Sequence, residues 1–240
     1  MKLILLPGTD GTGLLFEPFL KHLDPAIEPV VIVYPNDACF SYDDYVAYVL
    51  GRLPVDEDFV LLGESFSGRI AFEIGKRALP NMVGIIFVCS FLENPAPRLG
   101  WLARLLPMGW GIHHAMPSPV VKRLLLGNDA TVSLIDNFKR VVRQVNPEVL
   151  LHRIMLITES QPLTGTLHLP TLHLLASGDQ LVPARTSESL ATQCSLATTR
   201  TIAGPHGLLQ AEPVECASFV SAQIALWSAS TTTDSKIDRA

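Results

Sequence analysis

Residues Phe59-Val60-Leu61-Leu62-Gly63-Glu64-Ser65-Phe66-Ser67-Gly68 read as a buried strand that turns at once into a helix. Four apolar residues lead into Gly-Glu-Ser-Phe-Ser-Gly, and Ile70, Ala71 and Ile74 follow at helical spacing. A serine at such a corner is pushed out beyond the strand end in a strained backbone, the geometry of a nucleophile elbow. Small residues on either side make the turn possible. Gly63 fills the first such place. Ser67 stands where a second glycine is usual, with Gly68 behind it.

Working outward, Leu3–Leu6 reads as a first strand, broken by Pro7-Gly8-Thr9-Asp10-Gly11-Thr12-Gly13. A helix is expected over Leu14–His22 and a second strand over Glu28–Tyr34. Ser41 is placed to cap a helix running to about Arg52, with Asp43 and Asp44 in its first turn. Further strands are expected over Met82–Val88, Thr171–Leu175 and Thr199–Ile202, and helices over Ala184–Thr192 and Glu212–Trp227. Continuously apolar strands alternating with helices imply a mainly parallel sheet of about six strands covered on both faces. The loops past its strand ends then converge on one edge.

Residues 96–165 interrupt the alternation with Leu-, Trp- and Pro-rich helical periods. This segment is expected to form a helical cap inserted into a core of residues 1–95 and 166–227. Residues 228–240, polar and Thr-rich, read as a loose tail. The segment 96–165 has eight basic and four acidic residues, although the whole chain carries a net charge of −5. That surplus reads as an ordinary solvated helix surface or as a docking surface for something anionic, such as an acidic acyl carrier protein.

The chain of 240 residues fits one α/β domain, and 48% apolar residues supply its core. The mild net charge gives no sign of nucleic-acid binding. Cys39, Cys89, Cys194 and Cys216 lack metal-type spacing and read as reduced thiols of a cytoplasmic protein. The apolar run after Met1-Lys2 is too short for a secretory h-region, and no run is long enough to span a bilayer. Neither a metal nor a cofactor is called for.

A serine hydroxyl becomes a nucleophile when a base takes its proton and an acid orients the base. His206, in the loop Gly204-Pro205-His206-Gly207 after the last strand, is the best-placed base. Asp179, in Ser177-Gly178-Asp179-Gln180, is the acid, with Glu93 in reserve; the alternative for Asp179 is a turn residue capping the next helix. An oxyanion hole needs two main-chain N–H groups. Phe66 offers one, and Thr9, with Asp10 as alternative, the other. Trp101, Leu105, Met108 and Trp110, together with Leu102, Leu106 and Met116, are candidates to line an acyl pocket or else to pack the cap onto the core. The Gly-rich loop 7–13 lacks the spacing of a nucleotide-binding loop.

These motifs resemble the serine α/β-hydrolase superfamily, whose triad follows the chain order Ser65, Asp179, His206. Leu5-Leu6-Pro7-Gly8-Thr9-Asp10-Gly11 resembles that superfamily's His-Gly-x-x oxyanion loop, with Pro7 in the histidine's place. Over roughly Leu3–Trp227 the pattern is similar to small capped carboxylesterases like the pimeloyl-carrier-protein methyl ester esterase. The resemblance implies a chain that begins at the superfamily's third strand. It also implies hydrolysis of short to medium acyl esters through an acyl-enzyme on Ser65. Alternatives are an esterase or thioesterase for carrier-bound acyl or methyl esters, an acyltransferase, or a ligand-binding receptor that retains the triad.

Overall fold

A computed structural model describes residues 1–95 and 116–237. Six strands form one sheet: β1 (Lys2–Leu6), β2 (Glu28–Val31), β3 (Phe59–Glu64), β4 (Met82–Val88), β5 (Leu167–Ala176) and β6 (Cys194–Ile202). Their order is β2-β1-β3-β4-β5-β6, and every neighbouring pair is parallel. This is the parallel sheet of about six strands that the alternation of strands and helices implies.

Successive strand residues face opposite sides, so the sheet builds two cores. Leu3, Leu5, Val60, Leu62, Ile86 and Val88 share one with Phe16, Phe19, Val220 and Ile224. Ile4, Leu6, Phe59, Leu61, Ile85 and Phe87 share the other with Tyr45, Ile70, Phe72 and Ile74. Among the helices covering them are α1 (Glu17–Leu20), α2 (Tyr42–Leu50) and α3 (Ser67–Gly75). Ser41 caps α2 through a reciprocal capping box with Asp44.

Between β4 and β5 lie α4 (Ser118–Val121), a π-helical turn (Lys122–Leu126), α5 (Val132–Val142) and α6 (Pro147–Glu159). Thr131 caps α5 and Asn146 caps α6. After β5 come α7 (Ala184–Thr192), α8 (Leu208–Ala211) and α9 (Pro213–Ile237).

Several boundaries differ from the sequence reading. The expected helix over Leu14–His22 divides into a 3-10 turn, Leu14–Phe16, and α1, because Pro18 brings no N–H to a continuous ladder. The second strand ends at Val31. The last two strands begin earlier, at Leu167 and Cys194, where Leu167 pairs with Cys194 and Pro170 with Leu196. Exposure hid the extension of β6, an edge strand with mostly exposed side chains. The final helix runs past Trp227 to Ile237, through Ser- and Thr-rich sequence expected to be a tail.

Candidate active site

Ser65 sits at the corner between β3 and α3 with φ of 50°, in the left-handed region that non-glycine residues rarely adopt. Such a conformation costs roughly 1–3 kcal/mol. It persists because the surrounding backbone leaves no alternative. A Cβ at Gly63 would lie 2.8 Å from the Ser67 carbonyl oxygen, and one at Gly68 would lie 2.4 Å from the Ser90 Cβ. The second close approach therefore falls at Gly68, which frees position 67 for a serine. Its hydroxyl donates to the Pro7 carbonyl and lies 2.6 Å from the Tyr34 hydroxyl.

The structure brings the three distant side chains together. Ser65 Oγ lies 2.9 Å from His206 Nε2, and His206 Nδ1 lies 2.8 Å from Asp179 Oδ2. The His206 and Asp179 side chains are only 9% and 6% exposed, so their bond is shielded from water. Asp179 Oδ1 also accepts from the amides of Leu181 and Val182, each at 2.8 Å. One oxygen of Asp179 thus organises its own turn and the other meets the imidazole, while the helix that follows, Ala184–Thr192, starts at Pro183 without a side-chain cap. No hydrogen bond joins Glu93 to His206.

Cys89 completes this corner unforeseen. Its Sγ and ligand atoms of Asp179 and His206 lie within 4.8 Å of one another. Burial pushes its thiol well above the ordinary range, with the Asp179 charge adding to the shift. It is therefore a protonated, uncharged neighbour at neutral pH. Nothing in its sequence context marks it; only the adjacency of the β4 and β5 ends does.

Loop 7–13 forms the opposite wall. A turn from Gly8 C=O to Gly11 N–H, 3.0 Å long, closes it. The main-chain N–H groups of Thr9, Asp10 and Phe66 have no acceptor among the described residues. Thr9 and Asp10 line the same cavity as Ser65 and His206. The Asp10 carboxylate is turned away, accepting from the Thr12 amide at 2.9 Å and hydroxyl at 2.5 Å. Burial raises its pKa, against those two hydrogen bonds and the nearby Arg153. Glu64, directly before the serine, is buried. It accepts from Gln210 Nε2 at 3.0 Å, and burial pushes its pKa up to about 7, with Asp10 adding to the rise.

The cavity measures about 430 Å³. Its far wall is apolar, mostly aliphatic, and comes from the segment between β4 and β5: Met116, Leu124, Leu125, Phe138, Leu150 and Ile157 among others. Of the residues expected to line an acyl pocket, Met116 is there. Trp101, Leu102, Leu105, Leu106, Met108 and Trp110 fall outside the described residues. Among the described residues, no helix is long and apolar enough to cross a membrane.

A profile of the family described as serine aminopeptidase, S33, matches residues 41–208, most of the chain and all of the elbow. The protein belongs to this S33 family of α/β-hydrolases. Solved structures agree with that fold. An esterase from Thermogutta terrifontis, determined with malate bound, superposes with a TM-score of 0.76 at 16% identity, over 95% of this chain and 90% of the other. MenH from S. aureus gives 0.76 at 14% identity over 95% and 94%. ClbQ from the colibactin NRPS/PKS pathway gives 0.62 at 18% identity over 95% and 98%. No curated protein sequence matches the chain. S33 hydrolases and esterases are thus its company, and at these identities the likeness speaks for the fold.

The S33 assignment leaves one buried residue unexplained by the sequence reading, which counted Arg153 only as part of a basic surface. Arg153, on α6, is 1% exposed. Its Nε donates to the Tyr45 hydroxyl at 2.8 Å. Nη1 donates to the carbonyls of Thr9 and Asp10 at 3.0 and 2.8 Å, and Nη2 to that of Pro35 at 2.8 Å.

Proposed function

We propose that this S33-family hydrolase is a carboxylic ester hydrolase that uses Ser65 as nucleophile, His206 as base and Asp179 as orienting acid. The observation that carries this reading is the unbroken hydrogen-bond chain from Asp179 through His206 to Ser65, opening into an apolar cavity. His206 Nε2 takes the Ser65 proton as Oγ bonds to the ester carbonyl carbon. The oxyanion is met by the Phe66 amide and by that of Thr9, with Asp10 the alternative donor. His206 returns the proton to the leaving alkoxide as the C–O bond breaks. It then takes a proton from water, whose oxygen attacks the acyl-enzyme, and Ser65 leaves with that proton.

An ester with a short to medium aliphatic acyl chain suits the cavity's aliphatic wall. A peptide N-terminus suits it less, because an ammonium needs a carboxylate partner. The carboxylates lining the described cavity are Asp10 and Glu64, both engaged by the chain's own donors. The segment over the cavity acts as a cap in this reading, and the protein works in the cytoplasm.

Replacing Ser65 with Ala should lower p-nitrophenyl butyrate turnover by about 10⁴–10⁶-fold while thermal unfolding stays near that of the parent. Parent-like turnover in that variant would end the reading.

The basic surplus over 96–165 supports a carrier-bound substrate less than the sequence suggests, since Arg153 is buried and contributes nothing to a docking face. Arg140→Glu with Arg143→Glu should cut turnover of an acyl-carrier substrate about tenfold and leave the free ester unchanged. Equal effects on both substrates would dismiss the docking surface.

A further inference from the structure

We propose that Arg153 is a positioning residue that makes the oxyanion loop depend on the inserted helix α6. This rests on the ester-hydrolase reading and deepens it. In a trans peptide the carbonyl of one residue and the N–H of the next point in opposite directions. Fixing a carbonyl therefore fixes where the following amide points. In loop 7–13 each carbonyl up to Asp10 has an identifiable holder. Ser67 Oγ binds the Pro7 carbonyl from the core side, and the Gly11 amide binds the Gly8 carbonyl. Arg153 binds the carbonyls of Thr9 and Asp10. The Gly8–Gly11 turn thus orients the Thr9 amide, and Arg153 orients the Asp10 amide. The bond to the Asp10 carbonyl also anchors the turn's far end. A Cβ at Gly8 would lie 4.0 Å from the Ser65 Cβ, so the loop starts directly beside the nucleophile.

The other bonds of Arg153 show that it is built for this task. A guanidinium offers five N–H donors in a rigid fork. Four bonds from this one run to Tyr45 of α2, to Thr9 and Asp10, and to Pro35 after β2. It is a buried cation without a direct carboxylate hydrogen bond among the described residues, although the Asp10 carboxyl feels its charge. Such a group is costly to desolvate and is retained where its geometry is used. The fit is close: a Cβ at Gly11 would lie 2.3 Å from Nη1. Helix α6 is itself docked on the 35–40 loop, through His152 Nε2 to the Phe40 carbonyl at 3.0 Å and the Asn146 amide to Asn36 Oδ1 at 2.7 Å. The same helix lines the acyl cavity with Leu150, Ile154 and Ile157. A substrate chain pressing on that wall therefore bears on the element that orients the Asp10 amide and anchors the turn carrying the Thr9 amide.

The test uses Arg153→Ala, Arg153→Lys and the milder Tyr45→Phe, which removes one of the four bonds. For p-nitrophenyl butyrate, kcat should fall about 10²-fold in Arg153→Ala and about 3–10-fold in Tyr45→Phe, with KM within threefold of the parent. Added methylguanidinium should restore at least tenfold of the Arg153→Ala loss, and Arg153→Lys should fall between parent and Ala. Hydrogen exchange should quicken across residues 8–13 in Arg153→Ala while β1 and β3 stay protected. Unchanged kcat in folded Arg153→Ala, a loss confined to KM, or parent-like exchange over 8–13 would each overturn the proposal. If the parent shows no Ser65-dependent ester turnover, the ester reading fails separately, and the exchange measurement alone decides on Arg153.

Discussion

Two loops meet at Ser65, and they are held in opposite ways. The elbow, residues 63–68, is held by backbone: β3 enters it, α3 leaves it, and Gly63 and Gly68 lie against the Ser67 carbonyl and Ser90 with no room for a Cβ. Loop 7–13 is fixed largely by side chains from afar, with Ser67 on one side and Arg153, 144 residues from Thr9, on the other. A site assembled this way divides its tasks. Covalent chain geometry fixes the nucleophile, while tertiary contacts aim the charge-stabilising amides.

The largest expected effect comes from the acid that orients the base beside the elbow's serine. Asp179→Asn keeps a hydrogen-bonding side chain but favours the wrong imidazole tautomer, so kcat should fall by about 10⁴-fold with little loss of stability. Steady-state kinetics that left kcat within tenfold would show that the backbone-held elbow works without an oriented base.

The next effect sharpens the electrostatic side of the comparison. Glu64 is part of the elbow, yet Asp10 of the facing loop helps to raise its pKa. Its folded value of about 7 lies above the ordinary 4.5, so between these values the folded chain keeps a proton that the unfolded chain loses. Its contribution is fully favourable below pH 4.5 and falls as pH rises through 7, by about 3 kcal/mol. His173, buried on β5, has the opposite sign. Burial lowers it from 6.5 to about 4, so stability is lost as pH falls through that window. In the parent the two partly offset each other, with Asp10 on the side of Glu64. In Glu64→Gln the His173 dependence is unmasked, and urea unfolding from pH 5 to 7.5 should show stability rising more steeply with pH than in the parent. An unchanged slope would mean that Glu64 ionises freely in the fold.

The smallest effect probes the elbow's backbone directly. Gly68→Ala forces a methyl group against Ser90 and should cost about 1–3 kcal/mol of stability by overpacking. Turnover should fall with it, because the displaced contact sets the corner that carries Ser65. A variant as stable and active as the parent would show that the elbow has slack and that the contrast between the loops is weaker than drawn.

The elbow could be read from residues 59–74 because most constraints on it are local: strand-forming residues, Gly63 where backbone closes on backbone, and an apolar helix face; the Ser90 side chain against Gly68 is the distant one. His206 and Asp179 could be placed for a related reason, since each follows a strand in a short turn and loops after parallel strands gather on one edge. The misjudged boundaries were those where polarity masks pairing, as in β6, or where a polar stretch continues a helix, as in α9.

By itself, the sequence determined the layered architecture, the corner serine and the order of the three hydrogen-bonded side chains, because periodicity and turn chemistry act between near neighbours. Only the tertiary structure decided that Cys89 adjoins the Asp179–His206 pair, that Glu64 is sealed beside Asp10, and that a basic residue of the insertion lies inside, gripping loop 7–13. The physical reason is that burial and hydrogen-bond partnership are properties of packed surfaces. Residues far apart in the chain acquire them only when the sheet and the inserted helices close on each other.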